Sequence, residues 1–421
     1  MRFLRYAPFV VLASCGGGGS DYIDMTPPAA LDLRENFGGL AIADMDRDGF
    51  NDLVVGTNLT EDRQLLETRI SIYRQNPTSP GTFLSPVHYE RDANGELARM
   101  LVIADCQSDG LPDVVTTSWG EGGFRVMLND PANPGTLVPS VHYDTGPAFS
   151  TFAHSHAMGD IDADGFADIV LVDESNVKWI AQDAASLGTF MSPQTIGEGT
   201  VDVQMGDINA DGLMDVVALG VDGNVSESVL IYYNNSLAPG QFLAPRTFST
   251  PLFADYAGIA DYDADGRMDV AVAGAQVDSD DFDRHGTIVV YRQAAPDIFI
   301  ESAVVRTNGT GISEVFETAS LDGDAFPEIV FQVVVDLSGR AVVRIMESTA
   351  NGEPVIVTDL AIPNEPDNYS TGQDRLVIGD LNNDSLADIA IVRKGVYVFF
   401  AQPGGVFGFD DAVKVNPAPQ R

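Results

Sequence analysis

Three features of this 421-residue sequence predict an all-β fold, a seven-bladed β-propeller built from seven four-stranded units. A short acidic stretch recurs seven times along the chain. Apolar runs of period two flank each copy, which is the pattern of strands. No segment carries a sustained apolar period near 3.6 residues, so helices are not expected.

The acidic copies are "DMDRDGFND" (44–52), "DCQSDGLPD" (105–113), "DIDADGFAD" (160–168), "DINADGLMD" (207–215), "DYDADGRMD" (261–269), "SLDGDAFPE" (320–328) and "DLNNDSLAD" (380–388). Their starts lie 47 to 61 residues apart. A period of this size marks a repeat protein, whose units bury apolar faces against their neighbours.

Within a unit the elements follow one order. A first strand such as "GLAIA" (39–43) enters the acidic loop, and a second, "DLVVG" (52–56), leaves it. The third alternates in and out, as in "RISIYRQ" (69–75), "SVLIYYN" (228–234) and "GVYVFFA" (395–401). A fourth follows a Pro/Gly turn: "GTFLSPVHY" (81–89), "GTFMSPQTI" (188–196), "GQFLAPRTF" (240–248). Radial packing of seven such units leaves only short, protected sheet edges.

The spacing of the acids points to a metal. Ca²⁺ takes six to eight oxygen ligands and favours charged carboxylates in a flexible cage, whereas Mg²⁺ keeps its waters and wants a smaller octahedral site. In a tight loop the side chains at positions 1, 3 and 5 converge, and position 9 closes the cage on re-entry into the next strand. In the first loop these are Asp44, Asp46, Asp48 and Asp52, joined by the carbonyl of Phe50 at position 7. The matching sets are Asp105, Gln107, Asp109 and Asp113; Asp160, Asp162, Asp164 and Asp168; and Asp207, Asn209, Asp211 and Asp215. Asp261, Asp263, Asp265 and Asp269 form the fifth, and Asp380, Asn382, Asp384 and Asp388 the seventh. The sixth keeps Asp322, Asp324 and Glu328 but begins with Ser320 and has Ala325 where the first five carry glycine, so it ranks as weakest or empty. Glycine at position 6 allows the positive φ of a sharp turn. Asx hydrogen bonds can cap one such turn without a metal. Four carboxylates in nine residues, repeated, stay electrostatically unfavourable without a cation. The seven loops hold 24 of the 62 acidic residues, so much of the net charge of −39 belongs to these sites.

The repeat resembles the FG-GAP (VCBS-like) unit of integrin α-subunit propellers and many secreted bacterial proteins, over roughly residues 30–415. That resemblance implies several structural calcium ions and a binding or adhesion role.

The chain's start reads as a separate segment. Arg2 and Arg5 precede "APFVVLAS", a run too short to span a bilayer and typical of a signal peptide. "LASC" resembles the lipobox of bacterial lipoproteins, which implies acylation of Cys15. The divisions expected are a signal peptide (1–14), a lipidated cysteine with a flexible tether (15–29), the propeller (30–416) and a short tail (417–421). Gly16 after the cysteine favours the outer membrane or cell surface over the inner membrane. Cys106, the one remaining cysteine, reads as a small buried apolar residue.

With 23 basic residues and Lys178, Lys394 and Lys414 its only lysines, the chain lacks a basic footprint for nucleic acid. No G-x-S-x-G, H-E-x-x-H, P-loop or dinucleotide fingerprint is present. Two function classes remain. One is a calcium-stabilised, lipid-anchored envelope module that binds an extracellular protein or glycan. The other is a propeller-fold lyase or hydrolase acting on extracellular polysaccharide, since fold does not decide function. Long, irregular segments at 56–68, 144–158, 274–286 and 364–375 belong to the face opposite the acidic loops. Trp119, His154, His156, Arg63 and Arg284 are the candidate ligand contacts there.

Overall fold

The computed structural model describes residues 33–415, apart from 62–63, 93–97, 119–121, 146–154, 174–175, 200, 223–224, 278–283, 308–311, 336–339, 351–353, 364–374, 394 and 405–406. The described residues contain strands and turns and no helix. Blade one is β1 (Leu33–Ala43), β2 (Asp52–Glu61), β3 (Gln64–Tyr73) and β4 (Val87–Asp92). Blade two is β5 (Ala98–Ala104), β6 (Asp113–Ser118), β7 (Phe124–Met127) and β8 (Val141–Tyr143). Blade three is β9 (His156–Gly159), β10 (Asp168–Asp173), β11 (Asn176–Ile180) and β12 (Gln194–Glu198). Blade four is β13 (Val203–Gly206), β14 (Asp215–Asp222), β15 (Val225–Tyr232) and β16 (Arg246–Ser249). Blade five is β17 (Phe253–Ala260), β18 (Asp269–Val277), β19 (Arg284–Ala295) and β20 (Ile298–Arg306). Blade six is β21 (Ile312–Ala319), β22 (Glu328–Val334), β23 (Ala341–Glu347) and β24 (Val355–Ala361). Blade seven is β25 (Arg375–Gly379), β26 (Asp388–Val392), β27 (Val396–Phe399) and β28 (Val413–Val415).

Each blade is a four-stranded antiparallel sheet whose strands pair in sequence order. The first strands touch in turn, β1 to β5, β9, β13, β17, β21 and β25, and β25 returns to β1. The ring is therefore closed, and every blade is one continuous stretch of chain. At the closure, Asn51 Nδ2 donates to the Asp380 carbonyl at 2.9 Å.

Burial follows from this geometry. Second and third strands lie between two neighbouring blades and are apolar on both sides: in β22 and β23 six of seven residues are buried. Fourth strands lie outermost, and β24 is mostly exposed. Seven apolar layers result, one at each blade–blade boundary. Ile70, Ile72, Val114 and Met127 pack between blades one and two, and Tyr73, Val55, Ala390 and Val398 fill the closing boundary. Each fully buried aliphatic side chain stabilises the ring by about 1.5–3 kcal/mol.

One element differs from the sequence reading. The runs beginning "GTF" are not whole fourth strands. Phe83 makes a lone bridge to Gln75, Phe190 to Gln182 and Phe242 to Asn234, and the strands start only at Val87, Gln194 and Arg246. A proline stands in each gap (Pro86, Pro193, Pro245), and proline has no N–H for the ladder.

Candidate metal centres

All seven acidic loops join the first strand of a blade to its second, and the turns joining third to fourth strands lie beside them. The ninth residue makes that link. Asp52 is fully buried; its Oδ2 accepts from the Met45 N–H at 3.1 Å and its Oδ1 from the Gln75 N–H at 2.9 Å. The same pair of bonds recurs at Asp113, Asp168, Asp215, Asp269 and Asp388. These carboxylates staple the loop to the third strand's end. Burial pushes Asp52, Asp113 and Asp269 up to about 7 and Asp168, Asp215 and Asp388 up to about 6, against the lowering effect of the N–H donors. As anions they are costly unless positive charge lies nearby.

The remaining acids turn the backbone. Asp44 accepts from the N–H groups of Asp48 and Gly49, at 3.1 and 2.9 Å, and Asp48 accepts from Phe50 at 2.9 Å. Asx bonds of this kind are thus part of every complete loop, as at Asp160, Asp207, Asp261 and Asp380. These bonds leave the charges of the carboxylates crowded together. Oxygens of Asp44, Asp46 and Asp48 lie within 4.8 Å of one another, as do those of Asp160, Asp162 and Asp168, and of Asp261, Asp263 and Asp265. Two buried oxygens at position 3, Gln107 Oε1 and Asp263 Oδ1, have no hydrogen-bond partner. The orphaned Asp263 oxygen, on one of these converging sets, suits a hard divalent cation.

Two features of the loop are not apparent from the acid spacing. Position 4 is left-handed as well as position 6: Arg47, Ser108, Ala163, Ala210, Ala264, Gly323 and Asn383 all have φ between 52° and 79°. Position 2 is an apolar plug between blades. Met45, Cys106, Ile161, Leu321, Ile208, Tyr262 and Leu381 occupy it, and all but Leu321 are fully buried or nearly so. Cys106 is therefore packing, with its thiol pushed far up by burial.

Neighbouring loops are also tied together. Asn129 Nδ2 donates to the Met45 carbonyl at 2.8 Å, Asn234 Nδ2 to Ile161 at 2.6 Å, and Gln293 Nε2 to Ile208 at 3.1 Å. Arg47 reaches the carbonyls of Asp109 and Gly110 in the next loop. In blades one and five an arginine at the third strand's end faces the acids: Arg74 lies 3.3 Å from Asp46, and Arg292 lies 2.8 Å from Asp263.

The candidate ligand contacts fare differently. Trp119, His154, Arg63 and Cys15 lie outside the described residues, and so does the side chain of Arg284, the first residue of β19. His156 is corrected: it begins the innermost strand β9, is only 4% exposed, and its Nδ1 sits 3.5 Å from Thr117 Oγ1. It occupies the register held by Leu40, Leu101 and Leu376 in other blades, so it is a packed side chain and not an open contact.

Comparison with known proteins places these loops in a family. The FG-GAP-like repeat matches residues 105–171, 160–218 and 207–272. No curated protein matches the chain. Among solved structures, an Agrocybe aegerita lectin described as recognising non-reducing terminal N-acetylglucosamine is 16% identical, with 92% of this chain and 81% of that one covered and a TM-score of 0.39. The exotype rhamnogalacturonan lyase YesX is 10% identical over 87% and 72%, with a TM-score of 0.47. A Bacillus licheniformis rhamnogalacturonan lyase is 10% identical over 86% and 70%, with a TM-score of 0.45. The family match runs from blade two into blade five, and the same loop and the same four-stranded sheet recur around the rest of the ring. The chain carries FG-GAP-like repeats over residues 105–272 and folds as a seven-bladed β-propeller.

Proposed function

We propose that this propeller is a calcium-stabilised binding module, held at the cell envelope by a lipid on Cys15, that recognises an extracellular protein or glycan on the face opposite the acidic loops. The observation carrying the binding reading is the unevenness of that face. The β2–β3 hairpin runs to a Glu61–Gln64 pair and β18–β19 to Val277–Arg284, whereas β26–β27 ends at Val392–Val396. Ten residues of β2 against five of β26 make blade one project about 17 Å farther at ~3.4 Å per residue. The acidic face, by contrast, is occupied by repeated loops bonded to one another. Variable loops on a rigid frame are where repeat scaffolds carry their contacts.

Calcium is supported by the orphaned oxygens of Gln107 and Asp263 and by the raised, buried ninth carboxylates. Its role in this reading is to neutralise the loops.

The test begins with a glycan and envelope-protein array probed with the mature chain. Trp119→Ala and Arg63→Ala should weaken binding to any hit at least tenfold with Tm unchanged. Loss of binding only on altering the turns beside the acidic loops would place the ligand on the other face. Cys15→Ala should move the protein from the membrane to the soluble fraction; unchanged fractionation would remove the anchor from the reading.

A second reading, a polysaccharide lyase or hydrolase, draws on Glu317. It is open to solvent on innermost strand β21, yet the protein around it desolvates its carboxyl and raises it to about 7, with Asp202 adding to the rise and Arg375 opposing it. A carboxyl poised near neutrality suits a general base. Glu317→Gln should then abolish any polysaccharide cleavage; cleavage that survives the change would rule Glu317 out.

A further inference from the structure

The sixth loop departs from the others at two linked positions. In the complete loops the first aspartate accepts the N–H of the sixth residue, as Asp44 does from Gly49 and Asp207 from Gly212, both at 2.9 Å. That bond accompanies a left-handed sixth residue, with φ of 86° at Gly49 and 89° at Gly212. Ser320 has no carboxylate to accept it, and Ala325 has no positive φ. The acids that remain here are nonetheless not a reduced set.

Glu347, the last residue of β23, brings a carboxylate oxygen within 4.8 Å of those of Asp322 and Asp324. Its charged counterparts, one residue after Tyr73 and Tyr291 as Glu347 is one after Met346, are Arg74 and Arg292, which pair with the third-position aspartates of their own loops. Blade six thus places an anion where blades one and five place a cation. A second observation comes from Glu328. It is fully buried, and its Oε2 accepts from the Leu321 N–H at 2.6 Å. Its Oε1 is shut from solvent and has no partner. An aspartate at this position would reach the backbone N–H at the third strand's end, as Asp52 reaches Gln75. Glu328 is one methylene longer, and the charges that act on it are those of Asp322 and Asp324.

We propose that blade six carries a divalent-cation site of its own design, formed by Asp322, Asp324, Glu328 and Glu347, in which Glu347 takes the place of the aspartate missing at position 320. Three converging carboxylates, with the unused buried oxygen of Glu328 under the charge of Asp322 and Asp324, are the donor set of a hard cation such as Ca²⁺. Without one, Glu347 is a third anion added to an exposed pair, with no basic side chain at the register where Arg74 and Arg292 stand. This rests on the calcium reading of the other loops, and the test separates the two.

The full mature chain is crystallised with CaCl₂, and anomalous density is read at every loop, for the wild type and for Glu347→Arg. The wild type should show an ion at blade six; Glu347→Arg should lose that ion alone and keep those at blades three and five. No ion at any loop would overturn the calcium reading as a whole. Ions elsewhere but none at blade six, or a blade-six ion untouched by Glu347→Arg, would overturn this proposal alone. Equilibrium dialysis with radioactive Ca²⁺ gives a second readout: the isosteric Glu347→Gln should weaken one site at least tenfold at unchanged circular dichroism, and a binding curve identical to wild type would count against it.

Discussion

At the scale of single residues, the ninth acid of each loop is a structural group whether or not a metal is present. Asp215 accepts from the N–H groups of Ile208 and Asn234, at 3.0 and 2.8 Å, in a fully buried position. Asp215→Ala leaves both donors without a partner, at a cost of about 1–3 kcal/mol each. Urea unfolding should show this loss in chelator as well as in calcium; a loss confined to calcium would make Asp215 a ligand first and a staple second. His156 sets a pH dependence. Burial, the largest cause, holds its imidazole down to about 4, with Arg375 adding to the fall. The unfolded chain protonates near 6.5, so the folded state is favoured fully above that value and loses stability as pH drops toward 4. The window is worth about 3 kcal/mol at ~1.4 kcal/mol per pH unit. His156→Leu installs the residue that blades one, two and seven hold there, and should flatten the stability profile between pH 6.5 and 4. An unchanged slope would mean the imidazole is not what titrates.

At the scale of the element, the complete loop depends on left-handed residues at positions 4 and 6. At Gly212, with φ of 89°, an added Cβ meets nothing within 4 Å. Gly212→Ala should therefore cost only the backbone term, about 1–2 kcal/mol, measured as a shift in the urea midpoint. Ala325→Gly should not stabilise blade six, because Ala325 is not left-handed; glycine there only adds freedom to the unfolded chain, about 0.4–1 kcal/mol against folding. A gain in stability would show that the sixth loop is strained. The strand–loop–strand unit was legible from period-two runs and acid spacing because both are local. The proline gaps before Val87, Gln194 and Arg246 were legible in principle, since a residue without an N–H breaks a ladder wherever it falls. The apolar plug at position 2 carried a signal too, in Met45, Ile161, Ile208 and Leu381, but one that acids on either side obscured.

At the scale of the whole molecule, the ring is held by seven similar apolar layers and by the chain of bonds from loop to loop. If each loop binds calcium, its contribution to stability is RT ln(1 + [Ca²⁺]/Kd), about 2.7 kcal/mol per site at a hundredfold excess over Kd. A chelator should lower Tm markedly, and Mg²⁺ should restore little of it; an unchanged melt would leave the Asx bonds as the whole account of the acids. Among the described residues blades one and seven close the ring through β1 and β25 without exchanging a strand, and side chains hold that boundary: Leu40, Tyr73 and Val398, with Asn51 donating to the Asp380 carbonyl. Tyr73→Ala should unzip the ring there and lower stability by about 3–5 kcal/mol, as large aromatic truncations in cores do.

The amino-acid sequence by itself determined the repeat, the four strands of each blade, the number of blades and the positions of the acids. These follow from side-chain periodicity and from residues whose chemistry acts within a few positions of itself. Tertiary structure alone decided what depends on partners distant in sequence. It closed β25 against β1, buried His156 at a register that leucine holds elsewhere, and turned the ninth acids inward onto the third strand's backbone. It also brought Glu347 to Asp322 and Asp324, 23 or more residues away along the chain, so that the loop poorest in its own acids gains one from the neighbouring strand. A spacing rule counts ligands along the backbone, whereas an ion is held by whichever oxygens the folded chain places around one point.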